Sequence, residues 1–294
     1  MYRRILIAAD PRGLVAGAAP AVAALAEPEG ARVRLVTVGT QGGRGAGQNV
    51  EEVLRHLSQE LEGRHLPVDV ERREADGERV AEAIADSARE FEADLIVLGS
   101  RRHGDVAGFF VGSVGKAVAS RVSTPMLVVS RVEREPPSGL RRVLVAVDGG
   151  ELSHQAVVTA AALAGPETEV TPLYVDNTAS GLGAYPLYVD PTPAEEEGSK
   201  ALDDAMQVLR EAGVRGASQR AYGLEGTAAA IARAGDELDA DLIVLGSRRP
   251  GNIEALLLGS VARSVIARTR RTVLVASGPS PSGTAGSGAG AADQ

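Results

Sequence analysis

The sequence predicts an α/β chain built as two tandem doubly wound parallel five-stranded sheets, and three observations carry that prediction. The decapeptide ADLIVLGSRR occurs twice, at residues 93–102 and 240–249, an offset of 147. Within each half, short Val/Ile/Leu runs alternate with Ala-rich stretches of helical period, the pattern of parallel strands buried on both faces by crossover helices. A length of 294 residues suits two domains, each able to bury its own core.

In the first half the apolar runs at 5–9, 33–38, 68–72, 95–98 and 126–129 are the five strands. Helical patterns fall at 49–61 and 78–92, and a further helix is expected to begin at Ser113, where Gly then Ser precede an apolar periodic run. The apolar stretch 14–26, behind Arg3 and Arg4, has the look of a secretory h-region, but Gly17 and Pro20 interrupt it and it follows a strand-like run. A first strand and first helix explain it better. The 147-residue offset also relates Gly104 to Gly251, the triplet Gly112, Ser113, Val114 to Gly259, Ser260, Val261, and Met126 to Val273. Asp10 and Asp148, each closing a first strand, are 138 apart instead, so the second half carries about nine extra residues, most simply within 177–200. A helix at 151–164 is closed by Gly165 and Pro166. The expected organisation is domain 1 at 1–133, a linker at 134–139 containing Pro136 and Pro137, domain 2 at 140–277, and a disordered Gly/Ser/Pro/Ala tail at 278–294.

Composition removes several classes of function. The formal charge of −8 gives no electrostatic footprint for generic nucleic-acid or anionic-membrane binding. Without cysteine there is no disulfide framework, thiolate nucleophile, iron–sulfur cluster or thiolate zinc site, a composition suited to the cytoplasm. His56, His65, His103 and His154 show no recurrent ligand spacing, so no metal site is expected. No nucleophile elbow, P-loop or G-x-G-x-x-G follows a strand, and the expectation is a protein that is not an enzyme. The glycines at 42, 43, 45 and 47 resemble a nucleotide loop in composition only.

Open doubly wound sheets bind ligands beyond the carboxyl ends of their strands, where strand order reverses. Asp10 and Asp148 end the first strands, and Gly99 and Gly246 end the fourth. A carboxylate there can accept from a ribose hydroxyl or an adenine amine, and a glycine lets a ligand approach the backbone. A helix-capping Asp and a turn Gly are the plain alternative for either residue alone. Beyond Gly99 and Gly246 come Ser and paired arginines, then Gly112, Ser113 and Gly259, Ser260 opening helices. Free N–H groups at a helix start with a Ser hydroxyl make a phosphate cradle.

The strand-end Asp, the second strand ending in Val, ADLIVLGS and the cradle before Val together resemble the universal stress protein family in its tandem form, over nearly the whole chain apart from linker and tail. That resemblance implies strand order 3-2-1-4-5 in each half and a pseudo-two-fold relation between halves, as between family subunits. We expect contact through the fifth strands, since each is otherwise an exposed apolar edge. It also implies an adenine-nucleotide ligand, ATP with or without Mg2+, and a stress-response or signalling role. By position, Asp148 would meet ribose or adenine, Val175 adenine through its backbone, and Gly246, Gly259, Ser260 and Val261 ribose and phosphates. Asp10, Val38, Gly99, Gly112, Ser113 and Val114 are the first-half equivalents, and Ala8 and Ala146, two residues before each Asp, complete the set.

One departure bears on the ligand. The family's G-x2-G-x9-G-S/T spacing puts its second glycine at Arg102 and Arg249. A left-handed backbone there would cost about 1–2 kcal/mol, and the guanidinium would either fill the phosphate space or add a charge-assisted contact. The alternative function is therefore a same-fold interaction protein that binds no nucleotide. Beyond the intramolecular pseudo-dimer, a homodimer stays open. The halves are expected to be unequal. Asp148 leads Gly149, Gly150, Glu151, Leu152 and Ser153, close to the family's D-G-S-x-x-S, whereas Asp10 leads Pro11, which lacks a backbone donor, and Val15 holds the Ser position.

Overall fold

A computed structural model describes residues 1–10, 13–39, 46–75, 77, 79–102, 109–110, 113–129, 139–177, 193–247 and 258–277, with backbone alone at 46–49, 101–102, 109–110, 113 and 193–194. In the first half, strands β1 (Arg4–Ala9), β2 (Arg32–Gly39), β3 (Val68–Glu74) and β4 (Leu95–Gly99) alternate with helices α1 (Ala19–Leu25), α2 (Ala46–Glu62) and α3 (Arg79–Glu90). A short hairpin, β5 (Arg101–Arg102) with β6 (Phe109–Phe110), precedes α4 (Ser113–Ala119) and β7 (Met126–Val129). The second half runs β8 (Arg142–Val147), α5 (Glu151–Leu163), β9 (Glu169–Asp176), α6 (Pro193–Glu211), β10 (Arg215–Gly216), β11 (Gln219–Tyr222), α7 (Thr227–Glu237), β12 (Leu242–Gly246), α8 (Ser260–Arg268) and β13 (Thr272–Ala276).

The first half has the order β3-β2-β1-β4-β7, all parallel. The second repeats it as β10/β11-β9-β8-β12-β13, its third strand split into two short pieces that both pair with β9. The expected order 3-2-1-4-5 thus appears in both halves. The fifth strands pair antiparallel, Val273 opposite Val128 and Val275 opposite Met126, which joins the halves into one 11-stranded sheet. An exposed row of N–H and C=O groups on each fifth strand is satisfied by the other.

Strand alternation divides the core into two layers. Ile5, Ile7, Leu95 and Val97 face α1 and α2, continuous with Val143, Val145, Leu242 and Val244 facing α5 and α6. Leu6, Ile96, Leu98, Leu144, Ile243 and Leu245 face α3, α4, α7 and α8. Both layers cross the junction between halves. The apolar stretch 14–26 is a turn followed by α1, which starts late because Pro20 sits in its first turn, where the missing N–H costs nothing. Ala19, Val22 and Leu25 of α1 are buried against the sheet.

The Asp of the repeated decapeptide has a structural task. Asp94 accepts from the N–H groups of Arg3 (2.8 Å) and Arg4 (2.9 Å), and Asp241 from those of Arg141 (2.7 Å) and Arg142 (2.9 Å). Each carboxylate thereby anchors the entry of the first strand beside the fourth. Among the described residues no helix is long and apolar enough to cross a membrane.

Candidate nucleotide site at the strand switch point

The ladder between β1 and β4 ends at Ile7 opposite Val97, and that between β8 and β12 at Val145 opposite Val244. Beyond those pairs β1 follows β2 to Ala9 while β4 follows β7 to Gly99. The strands diverge where the order reverses, so a crevice opens at the carboxyl ends of β1 and β4, and again at β8 and β12.

The two aspartates sit at these openings in different turns. Asp10 accepts at Oδ2 from the Leu14 N–H at 3.1 Å. Asp148 is exposed and accepts at Oδ1 from the Gly150 N–H at 3.0 Å, with Gly149 at φ +77°. The Ser153 hydroxyl accepts from the Asp148 N–H at 3.3 Å and donates to the Gly150 carbonyl at 2.9 Å, locking the turn. In the first half Val15 is instead fully buried in the core. The turn after Asp148 is thus pinned by a hydroxyl that the turn after Asp10 lacks, as the sequences suggested.

Ala8 and Ala146 lie half-buried two residues back on β1 and β8, on the layer that faces α3, α4, α7 and α8. Val38 and Val175 each stand one residue past the end of the first-strand ladder, which closes at Ala9 opposite Thr37 and Val147 opposite Tyr174. Beside Val175, burial and the charges of Asp176, Glu197 and Asp148 raise the Tyr174 hydroxyl above the usual phenol range, Arg220 opposing.

Gly99 and Gly246 have a packing role that the ligand reading missed. A Cβ at Gly99 would stand 2.3 Å from Leu14 Cβ, and one at Gly246 2.5 Å from the Leu152 carbonyl oxygen. The chain's own backbone, rather than a ligand, takes the close approach on that face. The anticipated strain at Arg102 also does not arise. Arg102 lies in extended β5 opposite Phe109, and the non-glycine residues at positive φ among those described are His65, Glu92 and Asp239. The side chains of Arg102 and Ser113, and all of Gly112 and Arg249, lie outside the described residues, as do residues 134–138 of the expected linker and the tail at 278–294.

In the second half α8 starts at Gly259 as N-cap, at φ −58° and ψ 162°, with no side-chain cap among the described residues. Ser260 and Val261 open the helix and are exposed. An uncapped start leaves first-turn N–H groups directed at whatever lies in front of it. Val114 of α4 is half-buried at the matching place. The first-half hairpin also reaches this helix, since β6 lies against α8.

Two residues next to the glycines are more deeply buried than their place in the sequence suggested. Ser100 and Ser247 are buried, and neither hydroxyl has a hydrogen-bond partner among the described residues. A buried unsatisfied hydroxyl costs about 1–3 kcal/mol. Strand alternation past a strand-ending glycine was the available signal. Among the described residues, no group of three or more His, Cys, Asp or Glu is arranged to hold a metal ion.

The profile of the Universal stress protein family matches residues 1–130 and 139–277. A universal stress protein of Mycobacterium tuberculosis (strain ATCC 25618 / H37Rv) is 26% identical over 189 residues, 63% of this chain. The chain spans 62% of the length of that mycobacterial relative. A universal stress protein of Methanocaldococcus jannaschii is 30% identical over 159 residues, 52% of this chain and 91% of its own. In fold, the chain is similar to the crystal structure of a universal stress protein from Archaeoglobus fulgidus DSM 4304, with a TM-score of 0.69 at 19% identity over 93% of this chain and 98% of that one. With a family match in each half and the same strand order in both, the chain belongs to the universal stress protein family, as a tandem pair of its domains.

Proposed function

We propose that this protein binds an adenine nucleotide, ATP in the first instance, as a non-catalytic stress-response or signalling module of the cytoplasm. The observation that carries the reading is the start of α8 at Gly259, without a side-chain cap among the described residues, on the chain segment that follows the strand switch point whose first strand ends at the exposed Asp148. Unsatisfied N–H groups at a helix start favour an anion, and a carboxylate across the same crevice accepts from ribose or adenine. The residues present suit such a ligand. Asp148, Ala146 and Val175 would hold the nucleoside end. Gly246, Gly259, Ser260, Val261 and Arg249 would border the phosphates, and bound ATP would supply a charged, releasable group through which the ligand state is read. Mg2+, where present, would accompany the phosphates. The equivalent first-half set is Asp10, Ala8, Val38, Gly99, Arg102, Gly112, Ser113 and Val114.

The test is mass spectrometry of ligand released from protein purified without added nucleotide, followed by calorimetry with ATP and adenosine. Recovered ATP or AMP, and a Gly259→Val variant that loses ATP affinity more than adenosine affinity, support the reading. An empty protein that binds neither would replace it with the interaction protein of the same fold.

A further inference from the structure

Ser247 is 1% exposed and Ser100 5%, and they hold equivalent places immediately after the glycines that end β12 and β4. Their backbones are engaged. The Ser247 N–H donates to the Ala276 carbonyl at 3.0 Å and the Ser100 N–H to the Val129 carbonyl at 2.9 Å, so each residue extends the ladder to the fifth strand. That pairing fixes the direction of the side chain. Gly246 faces Leu152, whereas Ile243 and Leu245 face α7 and α8, and strand alternation puts Ser247 on the face of Ile243 and Leu245.

Ser247 therefore lies one step beyond Leu245 toward the crevice, on the layer where Leu258 and Ala262 bring in the start of α8. An alanine would suit an apolar seat better, because the hydroxyl has surrendered water and found no partner among the described residues. The nine-residue helix α8, without a side-chain cap among the described residues, begins on the same face. Among the described residues, a helix start without a side-chain cap and a buried hydroxyl without a partner thus share one end of the sheet.

We propose that Ser247, with Ser100 as its first-half counterpart, is a ligand-contacting residue whose hydroxyl donates to an anionic phosphate oxygen at the floor of the crevice, an inference that rests on the nucleotide reading above. The hydroxyl then favours a phosphorylated ligand over the bare nucleoside and is indifferent to the base.

The experiment is calorimetry on the full chain with ATP and with adenosine, for the unaltered protein, Ser247→Ala and Ser100→Ala, together with ligand-free thermal melting. Ser247→Ala should melt at the same temperature or higher, lose about ten-fold or more in ATP affinity, and keep its adenosine affinity within about two-fold. Ser100→Ala should do the same at the weaker site. If Ser247→Ala binds ATP as tightly as the unaltered chain, or loses ATP and adenosine alike, the hydroxyl does not read a phosphate and the inference falls while the nucleotide reading stands. No binding of either ligand by the unaltered chain removes both.

Discussion

Leu152 rides over Gly246 so closely that a single added methyl would stand 2.5 Å from its carbonyl oxygen and 2.7 Å from its carbonyl carbon. Backbone, not a flexible side-chain tip, occupies the space, so the first turn of α5 would have to lift off the sheet. Gly246→Ala is expected to destabilise the protein by about 1–3 kcal/mol, measured by urea unfolding. Gly99→Ala should behave alike beneath Leu14, whose carbonyl carbon would lie 2.7 Å from the new Cβ.

Asp241 accepts from two successive N–H groups, those of Arg141 and Arg142, and Asp94 from those of Arg3 and Arg4. Asp241→Ala leaves both donors at a strand entry without that acceptor, and a loss of about 1–3 kcal/mol is expected. Hydrogen exchange should speed up first at the start of β8. A stability unchanged within error would show that water replaces the carboxylate.

The two aspartates of the crevices should contribute unequally. Asp148 sits in a turn pinned by Ser153, and the corresponding Val15 can offer no hydroxyl to the turn after Asp10. One or two contacts of about 0.5–1.5 kcal/mol each separate the sites by about three-fold to a hundred-fold. Titrating Asp148→Ala and Asp10→Ala separately should show the larger loss of high-affinity ATP binding for Asp148→Ala. Equal losses would mean that both turns only cap their helices.

Glu71 of β3 gives the first half a defined acid limit. Burial alone would raise its carboxyl, but hydrogen bonds from Ser87 and Arg73 and the charges of Arg73 and Arg34 hold it below the ordinary 4.5. A carboxylate with a depressed folded-state pKa contributes stability in full above its unfolded value, and that contribution is lost as pH falls through the folded value. Glu71→Gln should therefore be less stable than the unaltered protein near neutral pH, with the gap narrowing below about pH 4.5. Thermal melts across that range check it, and a gap that widens in acid would contradict the assignment.

The duplication and the strands were legible because apolar runs of parallel-sheet type cannot be hidden, whereas the strand order was implied by the family resemblance. Met126 to Val129, for instance, is apolar at every position and buried at every position. The start of α1 was less so. The apolar stretch runs through Leu14 and Val15, but Gly17 and Pro20 delay the helix to Ala19, and Leu14 is spent on Gly99. A glycine's sequence position says that something comes close, not what. For Ser100 and Ser247, strand alternation past the glycine indicated a face but not their burial. Their burial follows from the ladder continuing one residue past the glycine, a tertiary fact set by β7 and β13.

The seam between β7 and β13 also changes what dilution can do. In a pair of separate subunits such a seam forms only as concentration allows, whereas two halves on one chain meet at an effective concentration of order millimolar however scarce the protein is. A subunit that pairs with its own copy must repeat every substitution on both sides of the axis. Here each side can drift alone, so Val15 can be lost to the core while Ser153 still serves its turn. The fused seam lets one molecule hold, side by side, a crevice whose turn is pinned by Ser153 and one whose turn is not.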